Sequence, residues 1–275
     1  MRFSLLQTAS TALQSLALGG LPVEPVLLAQ PGRLLFYLGQ ALLLSRLLRE
    51  DWGLPRKDVA EVLGAGETET IRLGGLDQGG AWAWAHSPLG GQSNIAGTAD
   101  LTSLCLLCRL LEPELVFEIG TNRGFTALHL ALNAPDRGRV LTLDLPPGPD
   151  VPPRLPITLA DAAHLRARSR SSRMLFEHSP LASRIECLRG DSAAYDFSPY
   201  HGRVDLFFID GAPSYEYARS DTEQALRCCH PGSVIAWHDY GKAGAPGLTR
   251  WLLELGRQRV LYAIPGGSLA FTVLE

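Results

Sequence analysis

The chain predicts an α/β fold: a doubly wound, mostly parallel sheet with a C-terminal antiparallel hairpin, preceded by an N-terminal helical extension. Three observations predict it. From Leu115 onward, short apolar runs of strand length alternate with stretches of helical spacing over about 160 residues. The first alternation passes through a glycine turn, in "VFEIGTNRGFTALHLA" at 116–131. Acidic residues then recur at the ends of successive apolar runs, and in sheets of this kind ligands sit at the carboxyl ends of the strands.

The elements follow in order. Residues 1–95 read as helical with breaks at "GGLP" and "QPG", then as a loop-rich linker or lid carrying Trp82, Trp84 and His86; residues 96–275 form the main domain. "TADLTSLCLLCRLLEPE" has a Thr or Asp cap, helical spacing and a stop at Glu112-Pro113. "LVFEIG" is a buried strand and "GFTALHLALNA" a helix; "RVLTLDL" is the second strand. "DAAHLRARSRSSRMLFEHSP" holds helical material, and "RIECLRGDS" is the third strand. "VDLFFIDG", "SYEYARSDTEQALRCCH", "GSVIAWHDY" and "GLTRWLLELGR" continue as strand, helix, strand, helix, and "RVLYAIPGG" with "LAFTVLE" closes as a hairpin.

Composition bounds the function. Of 275 residues, 46% are hydrophobic and 19% charged, ordinary for a soluble globular protein, and the formal net charge is -3. Without a basic surplus, neither a nucleic-acid partner nor a membrane-surface patch is expected. The uncharged run from Leu34 to Ser45 falls short of the ~20 residues a bilayer requires, and the N-terminus makes a poor signal-peptide core. An amphipathic helix packing on the main domain, or on a second subunit as a homodimer contact, is the expectation. Cys105 and Cys108 form a C-x-x-C that no second pair completes, so buried helix cysteines in a reducing cytoplasm are expected; Cys228 and Cys229 fit a helix end.

Four acids mark the strand ends: Glu118 just before Gly120, Asp144 ending the second strand, Asp191 in "RGDS" and Asp210 in "FFIDG"; His238 and Asp239 end the fifth. Gly120 allows a tight bend and Gly124 a close backbone approach at a helix start, whose free N–H groups face the strand ends. The full G-x-G-x-x-G is absent, with Asn122 and Phe125 where glycines would stand. Asp144 lies twenty residues past Gly124, where a carboxylate accepts both hydroxyls of a ribose; that spacing fits any adenosine-containing cofactor.

"VDLFFIDGAPSYEYARSDTEQALRCCHPGSVIAWHDY" resembles the motif IV to motif V region of class I S-adenosylmethionine-dependent methyltransferases, a Rossmann-like family. Within it the stretch is most similar to the subgroup that includes relatives of macrocin O-methyltransferase and cephalosporin hydroxylase-like proteins. "VFEIGTNRGFTALHLA" then resembles motif I. The resemblance covers about Ala96 to the C-terminus. It implies that Glu118, Gly120 and Gly124, with Thr121 and Asn122 in the same turn, line the methionine part of the cofactor. It further implies that Asp144 holds the ribose, that Asp191 and Ser192 lie near the adenine, and that Asp210 faces the methyl-transfer site. The implied reaction is methylation of a small-molecule hydroxyl. An acidic rim suits a cofactor that carries an ammonium, a sulfonium, two ribose hydroxyls and an adenine amine but no phosphate.

Asp210, His238 and Asp239 are the catalytic candidates, and three readings stand. Oxygen and imidazole ligands on adjacent strand ends could hold one divalent cation, Mg2+ given the carboxylates, to lower the pKa of a substrate hydroxyl. His238 could instead be a general base without metal. Or Asp210 caps a turn and His238 bonds the backbone. Pro213 stands where the resemblance expects a histidine, and a proline side chain can neither ligate nor move a proton; His86 is the substitute considered. That departure keeps open a non-catalytic binding protein on the same fold. An NAD-dependent oxidoreductase is the other alternative, against which the broken glycine fingerprint counts. Tyr215, near a helix start, could reach the site. Asp221 reads as structural or solvated, and Trp237 and Trp251 as core.

Overall fold

The computed structural model describes residues 53–64, 98–146, 151–159, 161, 162, 165, 174–242 and 244–275. The expected loop with Trp82, Trp84 and His86, and nearly all of the N-terminal extension, lie outside the described residues. Helix α1 spans Val59–Leu63 and α2 Thr98–Leu111. Strand β1 (Leu115–Ile119) leads to α3 (Phe125–Asn133), followed by β2 (Arg139–Asp144) and β3 (Ile185–Arg189). Then come β4 (Val204–Ile209), α4 (Tyr215–Cys228), β5 (Cys229–Trp237), α5 (Pro246–Leu255), β6 (Tyr262–Ala263) and β7 (Ala270–Val273).

The seven strands form one sheet in the order β3-β2-β1-β4-β5-β7-β6. The first five are parallel, while β7 runs antiparallel to both β5 and β6, as the expected C-terminal hairpin. Strand order reverses between β1 and β4, which opens a crevice at their carboxyl ends.

Period-two burial builds the two layers. Phe117, Ile119, Phe207, Ile209, Ile235 and Trp237 point to the face packed by α4 and α5. Val116, Leu206, Phe208, Val234 and Ala236 point to the opposite face, with Leu104, Leu107, Ala127 and Leu130 of α2 and α3. Both faces are covered, so the central strands read as continuous apolar runs. Trp237 is fully buried, and its indole N–H, like that of half-buried Trp251, donates to Thr222 Oγ1 at 2.9 and 3.0 Å.

The 161–180 segment, expected to hold helical material, is helical at 161, 162 and 165, and Met174–Pro180 forms turns; the residues between lie outside the described ones. One strand boundary needs correction. β5 starts at Cys229, directly after α4, and contains "HPG". The pairing of Val204 with Cys229 and of Leu206 with Val234 leaves extra residues on β5, and that bulge takes up Pro231 and Gly232. Asp221, read as structural or solvated, is wholly buried, and burial pushes its carboxyl up to about 7.

Candidate active site

The sheet's alternation places the functional side chains. Glu118 is one residue past Phe117, so it faces α3, in register with Thr142 on β2 and Phe208 on β4. Asp210 and His238 each lie one position beyond a residue that faces α4 and α5, so they emerge on the opposite side, the one Glu118 faces, where His238 meets Phe208 and Asp100 of α2. The ladder continues past the strand ends and fixes them: Gly120 N–H donates to Leu143 O, Asp210 N–H to Ile119 O, and His238 N–H to Ile209 O, at 2.8, 2.8 and 3.0 Å.

Glu118 is completely buried. Thr142 Oγ1 donates to its Oε2, and Thr121 Oγ1 lies 2.7 Å from Thr142 Oγ1, so the two hydroxyls form a relay beneath the carboxyl. Its Oε1 has no partner. Burial pushes the Glu118 carboxyl up to about 8; the Thr142 bond opposes this, and the nearby Asp210 and Asp144 charges reinforce it. A buried carboxyl with one unspent oxygen requires an explanation, and a cationic ligand group supplies one.

The turn after β1 is tightly specified. Gly120 has φ 105°, and a Cβ there would lie 2.1 Å from Asp210 O. Gly124 has φ 74°, and its missing side chain is filled by the Phe176 ring. The glycines therefore let β4 and the 174–180 turn close on this loop. Asn122 adopts φ 46°, and its N–H donates to Asp144 Oδ2 at 2.8 Å, which joins the ends of β1 and β2.

Asp191, expected near an adenine, is held by the chain's own donors. Its carboxylate accepts from Tyr217 Oη, Arg154 N and Ala193 N at 2.7–2.9 Å, so it ties α4 and the 154 loop to the end of β3. Ser192 beside it is buried. Tyr215 does not reach the site: its hydroxyl donates to Glu254 at 2.6 Å, with Trp251 and Arg250 against its ring. Pro213 is used through its backbone, whose carbonyl accepts from Leu248 N at the start of α5.

Asp210, His238 and Asp239 come together, with potential ligand atoms within 4.8 Å of one another. His238 Nδ1 lies 2.9 Å from Asp210 Oδ1 and 3.1 Å from Asp239 Oδ1. Asp239 adopts φ 69°, which turns its carboxylate back toward the ring it follows. Two further residues complete the cluster, neither singled out by the sequence. Asp100, in the first turn of α2, puts Oδ2 3.4 Å from His238 Nε2. Lys242 puts Nζ 2.7 Å from Asp239 Oδ1 and 3.5 Å from His238 Nε2.

The charges interlock. Burial alone would keep His238 neutral, but the Asp210 and Asp239 charges and the bonds to Asp100 and Asp210 hold its pKa well above the ordinary value. Burial would raise Asp100, but His238, then Ser268, outweigh it and hold its carboxyl at about 2. Asp100 also accepts from Ser268 N, Ser268 Oγ and Leu269 N at 2.6–2.9 Å, which fixes α2 to the β6–β7 turn. Asp100→Asn is expected to cost about 3 kcal/mol near neutral pH, because it strands His238 and the Ser268 donors. Since the folded pKa is depressed, the carboxylate's contribution is present above about pH 4 and is lost as pH falls toward 2. Urea midpoints of the two proteins should therefore converge across that window.

The three ligand atoms are close enough for one divalent ion, but the cluster as folded already contains its cations. Nδ1 faces two carboxylate oxygens and so carries a proton in either charge state of the ring, which leaves no lone pair there for a metal. Lys242 occupies Asp239.

Part of the chain is similar to known proteins. Residues 117–240 match the family model for a methyltransferase domain. A catechol O-methyltransferase from Mycobacterium tuberculosis is 30% identical over 134 residues, which is 48% of this chain and 50% of that protein. The chain thus spans about half the length of this curated relative. Two solved structures share the fold: an S-adenosylhomocysteine-bound methyltransferase from Podospora anserina and a methyltransferase from Geobacter sulfurreducens. The first has TM-score 0.52 and 16% identity and covers 70% of this chain and 86% of that one. The second has TM-score 0.50 and 18% identity and covers 81% and 100%. Among the described residues, no helix is long and apolar enough to cross a membrane.

Proposed function

We propose that the chain carries a class I S-adenosylmethionine-dependent methyltransferase domain and that it methylates a hydroxyl oxygen of a small molecule. The observation that carries the cofactor assignment is the buried, partnerless Oε1 of Glu118, beside the turn that Gly120 and Asn122 shape. Glu118 would take the ammonium of the cofactor's amino acid, Thr121 and Asn122 would border it, Asp144 would hold the ribose, and Ser192 would lie toward the adenine. When bound, S-adenosylmethionine supplies an electrophilic methyl group for in-line displacement.

The chain's own residues supply positioning and proton handling. Asp210 has 24% of its side chain exposed and His238 8%, so Asp210 is the member of the pair that an acceptor can touch. We assign to Asp210 the hydroxyl proton, and to His238 the orienting of that carboxylate through its Nδ1–H. Asp239 and Asp100 keep the ring in place. The similarity to a catechol O-methyltransferase supports an oxygen acceptor. No step is assigned to Mg2+, whose place in the cluster His238 and Lys242 already fill.

Calorimetric titration with S-adenosylhomocysteine tests the reading. The wild type should bind, and Asp144→Ala should bind about tenfold more weakly or worse, with the loss of hydrogen bonds to a charged acceptor. Folded wild-type protein that binds no S-adenosylhomocysteine would overturn it. A binding protein would then go to a screen of phenols, catechols and sugars for S-adenosylhomocysteine release, in which Asp210→Asn should lower turnover by about 10²-fold or more.

A further inference from the structure

We propose that Lys242 is the resident cation of the Asp210–His238–Asp239 cluster: its ammonium takes the place a divalent ion would occupy and keeps the site free of bound metal. The inference concerns the apoprotein and does not require the methyltransferase reading to be correct.

The geometry argues it directly. Asp239 Oδ1 already accepts from Lys242 Nζ at 2.7 Å and faces His238 Nδ1 at 3.1 Å. Asp210 Oδ1 faces the same Nδ1 at 2.9 Å. A metal entering between these oxygens would have to expel the Nδ1 proton and push the ammonium off Asp239. Lys242 also lies 3.5 Å from Nε2, so it spans the imidazole edge and the carboxylate together, as a bound ion would.

Charge supports the same conclusion. Asp100, Asp210 and Asp239 bring three carboxylates around the imidazole, and Lys242 sets an ammonium against them, 2.7 Å from Asp239 Oδ1. Mg2+ demands near-octahedral oxygen ligands at about 2.0–2.1 Å and gives up its own waters reluctantly, so it competes poorly for two carboxylate oxygens that are already hydrogen-bonded. Lys242 is held on the chain three residues from Asp239, at an effective concentration no free ion matches. With 43% of its side chain exposed, it also presents its charge at the mouth of the site, where the oxygen of an acceptor would meet it.

The test is metal binding, read without turnover. Wild-type protein titrated with Mn2+ and followed by the paramagnetic signal of the free ion should show no stoichiometric site tighter than about 1 mM. Lys242→Met keeps the stem and removes the charge, and it should create one site at least about tenfold tighter. Lys242→Gln should behave alike, and Lys242→Met combined with Asp239→Asn should lose the new site. Thermal melts establish that each variant is folded; the half-exposed position makes that the expected result. A wild-type site in the micromolar range that Asp239→Asn abolishes would overturn the proposal. So would folded Lys242→Met and Lys242→Gln that gain no site, since something other than the lysine would then exclude the ion.

Discussion

Binding S-adenosylhomocysteine at pH 7 should release close to one proton per molecule, and Glu118→Gln should release none. Glu118 is protonated in the free protein at that pH, because burial pushes its carboxyl up to about 8. An ammonium placed against Oε1 favours the carboxylate, so the proton leaves as the ligand enters. Calorimetry in buffers of different ionisation enthalpy reads the proton directly. The release should fade above pH 8, where the free protein has already lost it. The variant should also bind about 10²-fold more weakly, the scale of a buried hydrogen bond to a charged group. Its stability should move the other way. Between the ordinary 4.5 and about 8 the native state holds a proton that the unfolded chain has lost, so wild-type stability falls as pH rises through that window. At ~1.4 kcal/mol per unit the penalty is a few kcal/mol, and a glutamine does not incur it. Glu118→Gln should therefore melt higher than wild type at pH 8 and alike at pH 4. Equal melting at both, with no difference in proton release, would sink the assignment.

The second large effect is at Gly120. Gly120→Ala would force a Cβ to within 2.1 Å of the Asp210 carbonyl oxygen, on a φ of 105° that an alanine rarely adopts. The neighbouring atoms belong to backbone locked in the β1–β4 ladder, so they cannot swing away as a side-chain tip would. The expected cost is about 4 kcal/mol or more, a large part of an ordinary domain's stability. Gly202 separates the two causes. Its φ is 65°, and a Cβ there would meet nothing within 4 Å, so Gly202→Ala should cost only the conformational term, about 1–2 kcal/mol. Urea denaturation of the two variants side by side measures the difference, and equal losses would mean that close packing at Gly120 is relieved locally.

Much of this architecture was legible in the residues. The central strands β1 and β4 announced themselves as runs apolar on both faces, and the functional acids sit at or next to the ends of strands, as Glu118, Asp144 and Asp210 do. What was not legible depends on contacts distant in the chain. Asp100 looks like an ordinary acid in a helix's first turn; only the folded sheet brings it to His238 and Ser268. Lys242 follows "HDYG" and reads as a surface lysine until Asp239 turns through a left-handed φ. Asp191 has the right position for a ligand contact, but the donors that occupy it come from Tyr217, Arg154 and Ala193, which no local pattern links to it. Tyr215 was read toward the site because it starts a helix; its preference for Glu254 and Trp251 depends on how α5 docks. Pro231 and Gly232 suggested a strand start, and the bulge on β5 let the strand run through them.

The bond from Asp100 to Ser268 also sets a timetable. The two residues are 168 positions apart, and at roughly 5–20 residues per second a ribosome needs about ten to thirty seconds to supply the second after the first. Throughout that interval α2 carries an acid without its Ser268 and Leu269 donors, and the helix that backs the cluster around His238 is not yet tied down. The matched stretch 117–240 contains neither end of this bond, nor Lys242. A nascent chain that has emerged only through Tyr240 can therefore pair five strands and still have no finished pocket. The site is among the last parts of the molecule to mature, and a stalled or clipped product lacking the β6–β7 turn should be unable to hold His238 in place.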